Sequence, residues 1–171
     1  MAAEQMTEGL RFPPPPEFAA NALIGSMEQY QEMYDRSVSD PDAFWLDQAK
    51  TLDWVKFPTI GGDYTWNTED RVIEHKFFED GILNVSYNCL DRHINTSRQD
   101  KPAIIWQGEP EDDVVTLTYA DMYREVNKFA NVLKKHGIGR GDRVAVYMPM
   151  IPELAIAILA CTRVGAVHSV V

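Results

Sequence analysis

Cys89 and His93 stand four residues apart, a spacing that puts two side chains on one face of a helix. A thiol beside an imidazole can act as an activated nucleophile or as half of a metal site. A zinc site needs about four ligands, and the remaining candidates, Cys161 and His168, lie far away, Cys161 in an apolar helical run and His168 between Val167 and Ser169. The simpler reading is a small buried cysteine beside a hydrogen-bonded histidine. Cys161 is expected in the core, and His168 in the core or at an interface. Asp91-Arg92-His93 contains the residue types of a catalytic run, but adjacent helical residues point in different directions. Asp91 and Arg92 are therefore expected to make salt bridges. Glu109, Glu111, Asp112 and Asp113 do not follow the spacing of a calcium loop and read as a solvated hairpin tip.

Gly137-x-Gly139-x-Gly141 has the look of a phosphate loop with the wrong polarity. A phosphate-binding glycine loop follows a strand and opens a helix. These glycines follow a helix and open a strand, which suits a helix C-terminus and a turn. No GxxxxGK[ST], GxSxG, CxxC or HExxH occurs. Spacing alone therefore names no catalytic, cofactor-binding or metal-binding residue.

The elements that would position these groups are clearest in the last third. Thr118 with Asp121 is a capping-box variant. Tyr119, Met122, Val126, Phe129 and Leu133 then recur on one helical face, with Lys134, Lys135 and Gly137 at its end. Val144–Met148 reads as a buried strand, and Leu154–Val164 as a helix buried on most sides, with Pro152 at its start and Gly165 at its end. Ala166–Val171 reads as a second buried strand. The unit is strand–helix–strand, so a parallel pair with a right-handed crossover. Upstream, Ala103–Trp106 and Val114–Leu117 form an expected hairpin around the acidic loop. Asn84 should cap a helix whose stripe is Val85, Cys89, Leu90, His93 and Ile94.

The front of the chain is less regular. Pro13–Pro16 should be extended polyproline, a stiff spacer or arm in a lead segment over residues 1–25. Ser26 with Gln29 is a capping box ahead of Met27, Tyr30, Met33 and Tyr34, and Asp40-Pro41 starts a second helix bearing Phe44 and Trp45. From Leu52 to Trp66 the text is irregular and aromatic, expected as loop and short strand. His75–Phe78 could be a short strand, with a turn at Asp80-Gly81. Aromatic residues without periodicity suggest packing on another body, which is not obvious within residues 1–80.

Composition bounds the possibilities. The 171 residues, 45% hydrophobic and 25% charged, suit an ordinary globular chain. The net charge is −10, and it sits entirely in residues 1–80, which hold sixteen acidic and six basic residues, against ten of each in 81–171. No basic block exists, which argues against nucleic acid and against an anionic membrane surface. No apolar stretch is long enough to span a bilayer, and the N-terminus does not read as a signal peptide. Two cysteines make no disulfide framework, and a cytoplasmic location is expected. The chain ends inside a strand, at Val170-Val171, with too few strands to complete a doubly wound sheet. The expectation is the front part of a longer protein; the alternative is a natural short protein with an exposed edge strand.

The motifs of the last third carry a resemblance. Leu117-Thr-Tyr-Ala-Asp-Met122, Gly137-Ile-Gly-Arg-Gly-Asp142 followed by Val-Ala-Val-Tyr-Met-Pro149, and Leu159-Ala-Cys-Thr-Arg-Val-Gly-Ala-Val167 resemble stretches of the adenylate-forming enzymes. Asp40–Trp45, Leu52–Trp54, Leu83–His93, Tyr147–Pro149 and Gly165–Val170 are similar to the AMP-forming acetyl-CoA synthetases within that superfamily, over about Tyr30 to Val171.

The resemblance implies an α/β fold. Residues 81–171 would begin the large AMP-forming domain, a parallel βαβ sheet with flanking helices, incomplete at Val171. Residues 1–80 would be an acidic, irregular, aromatic-rich helical arm wrapping that domain, anchored by Trp45, Trp54, Phe57 and Trp66. It further implies a parent ligase that joins acetate to ATP, giving acetyl-AMP and pyrophosphate, and passes the acetyl group to coenzyme A. Mg²⁺ would shield phosphate charge. The partners implied are acetate, ATP, coenzyme A and the remainder of the polypeptide. The family's phosphate loop, ribose-binding aspartate, hinge and C-terminal lysine have no counterpart in residues 1–171. The catalytic, cofactor-binding and metal residues expected in this chain are therefore none, and the chain alone is expected to be inactive. Propionate or another short-chain acid is the alternative substrate. An inactive binding or regulatory module derived from the family is the alternative of another class.

Overall fold

A computed structural model describes residues 12–171. The expectations for residues 1–11, including the start of the arm and the absence of a signal peptide, lie outside the described residues. The proline run is not extended throughout: Pro16 takes the first position of a short helix, α1 (Pro16–Ala20). Its fixed φ and missing N–H suit that position. Helix α2 (Met27–Ser39) begins as its sequence suggests, with Ser26 Oγ accepting from Gln29 N at 3.2 Å. The return bond goes one residue further out, to the Gly25 N–H at 2.8 Å. Helix α3 (Pro41–Ala49) starts on Asp40, whose carboxylate accepts from Ala43 N, with Pro41 at the first position.

Two strands follow, β1 (Gly62–Asn67) and β2 (Val72–Phe77), paired antiparallel. The strand expected at His75–Phe78 is therefore longer, and its partner lies in text that reads as irregular. Register explains the pattern. Tyr64 opposes His75 and Trp66 opposes Ile73, so one face is aromatic and apolar while Asp63, Thr65, Glu74 and Lys76 occupy the other.

Helix α4 (Val85–Cys89) is capped by Asn84 Oδ1, which accepts from Tyr87 N. It is shorter than its stripe suggests. The backbone leaves the helix at Leu90 and re-forms as a 3₁₀ turn over Asp91–His93. The hairpin β3 (Pro102–Gln107) and β4 (Val114–Thr118) pairs antiparallel around the acidic loop, with a register shift between Pro102 and Ile104.

Helix α5 (Tyr119–Lys135) opens on a reciprocal box. Thr118 Oγ1 accepts from Asp121 N at 3.1 Å and donates to Asp121 Oδ2 at 2.7 Å, while the Thr118 N–H also donates to Oδ2. Strands β5 (Arg143–Val146) and β6 (Val167–Val170) run parallel, joined through helix α6 (Pro152–Val164). Gly137 and Gly165 end α5 and α6 with positive φ. At both ends the two amides after the helix bond back to its last turn: Gly137 and Ile138 to Lys134 and Leu133, Gly165 and Ala166 to Thr162 and Cys161.

The core lies between α5 and α6. Met122, Val126, Ala130 and Leu133 form one buried cluster with Leu90, Ala160, Cys161 and Ala166. Each large side chain buried there contributes roughly 1.5–3 kcal/mol. Phe129, expected on this face, is 37% exposed and Ala130 takes the buried place.

Four burial expectations are corrected. The strand expected to be buried over Val144–Met148 buries only Val146. Helix α6 buries only Pro152, Ala157, Ala160 and Cys161 fully. Strand β6 is mostly exposed, with Val167 at 57% and Val170 at 49%. Among the described residues β6 pairs only with β5, and no second layer covers its far side. Most aromatics of the front segment are uncovered as well: Trp45, Phe57 and Trp66 are exposed and Trp54 is half-buried, while Phe44 is buried and α2 buries nothing. The chain exposes 13245 Å², about half again the roughly 8500 Å² expected of a compact monomer of this mass.

Two outcomes test these local assignments. Gly165→Ala should destabilise the chain by about 1–2 kcal/mol in urea unfolding, because its φ of +78° is costly for a residue with a Cβ. The Asp121 carboxyl is held down at about 2 by the Thr118 hydroxyl, then the Thr118 N–H and Arg124. A depressed carboxylate contributes stability above its ordinary value and loses it as pH falls from about 4 to about 2. Asp121→Asn should flatten that part of the curve of melting temperature against pH.

Candidate functional site

Leu90 turns the backbone between α4 and the 3₁₀ segment, and this turn decides where the chemistry-bearing residues go. Cys89 and His93 do border one cleft, of about 330 Å³, with Tyr119, Met122 and Leu159. The cysteine, the last residue of α4, is exposed rather than buried. His93 stacks edge-on to Tyr119 with ring centroids 5.1 Å apart. Burial, with Arg98 and Arg92 nearby, holds its pKa below the ordinary histidine value. Cys161 is fully buried, and burial pushes its thiol pKa up, the reverse of activation. His168 is half-buried in β6.

Asp91 and Arg92 diverge, as adjacent residues should. Asp91 turns inward and pairs with Arg163 of α6. Arg92 turns toward the front segment, donating to the Thr51 carbonyl at 3.0 Å and lying 3.6 Å from Asp53. The four carboxylates of the acidic loop sit exposed at the hairpin tip. The three glycines have the local roles expected of them. Gly137 closes α5, while Gly139 and Gly141 lie in a turn in which the Gly139 N–H donates to Asp142 Oδ2.

The residue that sequence reasoning overlooked is Arg163. Its Nε donates to Ser86 Oγ at 3.2 Å, one Nη to Asn127 Oδ1 at 2.6 Å, the other to Asp91, and its guanidinium lies over the Tyr123 ring at 5.3 Å. Ser86 is fully buried. The signal was present: Arg163 is the single cation in a mostly apolar helix, and such a charge must find partners.

A groove of about 730 Å³ runs between the β3–β4 hairpin, α5 and α6. Trp106, Leu117, Phe129, Val132 and Ile156 make it apolar. The cation among its lining residues, Lys128, is paired with Glu125 at 2.9 Å. This is not a triphosphate cradle. Among the described residues no group of three or more His, Cys, Asp or Glu side chains is arranged to hold a metal ion. No helix among the described residues is long and apolar enough to cross a membrane.

Comparison with known proteins supplies what this geometry lacks. The AMP-binding enzyme family matches residues 90–171, and the acetyl-coenzyme A synthetase N-terminus family matches residues 30–89. An acetyl-coenzyme A synthetase of Halorhodospira halophila is 48% identical over 167 residues, which is 97% of this chain and 25% of that protein. One from Magnetococcus marinus is 52% identical over 161 residues, 94% of this chain and 24% of that protein. Among solved structures, the acetoacetyl-CoA synthetase from Streptomyces lividans superposes with a TM-score of 0.74, at 24% identity, over 92% of this chain and 26% of that one. Fold and family matches together define the class: the front part of the large α/β domain of an adenylate-forming, AMP-binding enzyme. Within that class the chain belongs to the AMP-forming acetyl-CoA synthetase family, and it spans about a quarter of the length of the curated relatives it matches.

The lowered pKa of His93 gives a direct check. A proton-resonance titration should place its midpoint below 6.5. Since the folded state disfavours the proton, this group should also make the fold less stable as pH drops through that range. His93→Gln should remove that contribution.

Proposed function

We propose that this chain is the N-terminal segment of an acetate–CoA ligase whose chemistry is performed by parts outside residues 1–171. In the parent, an acetate oxygen attacks the α-phosphorus of ATP. The bond to the β-phosphate oxygen breaks, giving acetyl-AMP and pyrophosphate. The coenzyme A thiol then attacks the acetyl carbonyl and expels AMP. ATP, Mg²⁺, coenzyme A and acetate are ligands of the parent, held by residues elsewhere. Magnesium, when bound, would offset charge on the phosphates. The observation that carries this reading is the near-complete match of the chain to acetyl-coenzyme A synthetases at about half identity.

What residues 81–171 contribute is a scaffold: a parallel strand pair, its crossover helix and the α5 pack that covers it. Residues 1–80 serve as the acidic arm of the large domain. Their uncovered aromatics support this, since Trp45, Phe57 and Trp66 have apolar area to bury and the acidic groups between them favour water. The partner of the arm is the remainder of the same polypeptide. A cytoplasmic site suits two free thiols, Cys89 and Cys161.

The test is acetate-dependent exchange of labelled pyrophosphate into ATP. A pure 171-residue preparation should give none. The same sequence continued to the full length of its relatives should exchange, with acetate preferred over propionate. Turnover by the isolated 171 residues would overturn the claim that the machinery lies elsewhere. A preference for propionate would reassign the substrate.

A further inference from the structure

We propose that Arg163 and the Asn84–Arg92 stretch form a two-stage clasp that fastens the front segment to the AMP-binding part. Opening it at either stage frees residues 41–67 as a unit and leaves the α5–α6 core folded.

The inner stage grips the C-terminal end of α6. Asn84 Nδ2 donates to the Thr162 carbonyl at 3.0 Å, which also accepts from the Gly165 N–H that closes the helix. The same side chain caps the start of α4 with its oxygen, so one residue closes two helices that approach end to end. Ser86 and Asp91 then take two edges of the Arg163 guanidinium, and Asn127 of α5 takes a third. Arg163 and Asp91 are mostly withdrawn from water. A charge placed there is held by all its partners together, and removing one leaves another desolvated and unpaired.

The outer stage grips the front segment. Asn88 and Asp53 exchange two hydrogen bonds: the Asp53 N–H donates to Asn88 Oδ1 at 2.8 Å, and Asn88 Nδ2 donates to the Asp53 carbonyl at 2.9 Å. Arg92 donates to Asn88 Oδ1 at 3.1 Å and to the Thr51 carbonyl. The polar links run in series: front segment to Asn88 and Arg92, then through α4 and the 3₁₀ turn to Asn84, Ser86 and Asp91, then to Arg163.

Beyond the clasp, Val55 and Lys56 pair with Ile82 and Thr59 bonds Asp80, while Phe44, Ala49 and Pro58 are buried within the segment. Helix α2 buries no side chain, and the aromatic face of the β1–β2 hairpin is exposed. A segment with few buried contacts opens below the global unfolding limit, and its attachment decides how often. The clasp also straddles the join between the two family matches, at residues 89 and 90, so each family contributes one half of it.

Hydrogen–deuterium exchange read by mass spectrometry on this chain tests the proposal. Asn88→Ala should speed exchange over residues 41–67 by roughly tenfold or more, the effect of losing hydrogen bonds of this kind. Residues 119–135 and 152–164 should keep their protection. Arg163→Met should open the same residues. Because the links are in series, the double variant should open residues 41–67 no further than the more open single variant does. Unchanged exchange over 41–67 in Asn88→Ala would overturn the proposal. So would additive effects in the double variant, or loss of protection spread evenly over the chain. Should Arg163→Met fail to fold, Asn88→Ala alone decides, since it leaves the buried charge matched.

Discussion

The structure depends on the close packing of α5 against α6. Met122, Val126 and Leu133 supply volume on one helix, and Ala157, Ala160 and Cys161 supply small side chains on the other. Small residues let the helices approach, and large ones then fill the seam at interior density. Everything downstream follows from this seam. It fixes where α6 ends, and the left-handed Gly165 that ends it sends the chain back into β6 beside β5. The hairpin β3–β4 lies against the same pair through Ala103, Ile104 and Leu117.

Set into that seam is one charge. Arg163 occupies the last turn of a mostly apolar helix and is largely withdrawn from water, so its guanidinium needs matching polar partners. Three polar side chains from two separate stretches converge on it, and an aromatic ring lies against its flat face. This explains why a single helix-length stretch, from Asn84 to His93, breaks at Leu90. A continuous helix could not present Ser86 and Asp91 to the same guanidinium while sending Arg92 the other way. Cys89 ends α4 in an exposed position, so a pair spaced for one helical face does not form a buried thiol site.

Much of the fold was legible beforehand where local chemistry is sufficient. Thr118 with Asp121, Asp40 with Pro41, and Asn84 each start a helix where their side chains predict it. The alternation of Ala103–Trp106 and Val114–Leu117 around an acidic tip gives the observed hairpin. Burial was less legible, because it belongs to neighbours rather than to a segment. Strand β6 and the outer sides of α6 have the composition of interior elements, yet only one layer covers them. The hairpin β1–β2 was half hidden because Tyr64 and Trp66 sit among glycine and polar residues. Its alternation shows only when register brings Ile73 and His75 opposite. The candidate site behaved in the same way. The helix-end and turn roles of Gly137, Gly139 and Gly141 could be read from their order in the chain, while the set of partners that converges on Arg163 could not.

By itself, then, the sequence determined where helices start and stop, which runs pair locally, the strand–helix–strand order and the motifs by which the family is recognised. These depend on interactions within a few residues, such as caps, turn glycines and periodic apolar faces. The tertiary structure alone decided which apolar faces meet, where the Asn84–His93 stretch must break, and which groups 70 to 80 residues apart share one buried charge. Those outcomes depend on contacts between distant segments, and such contacts are settled only when the helices pack.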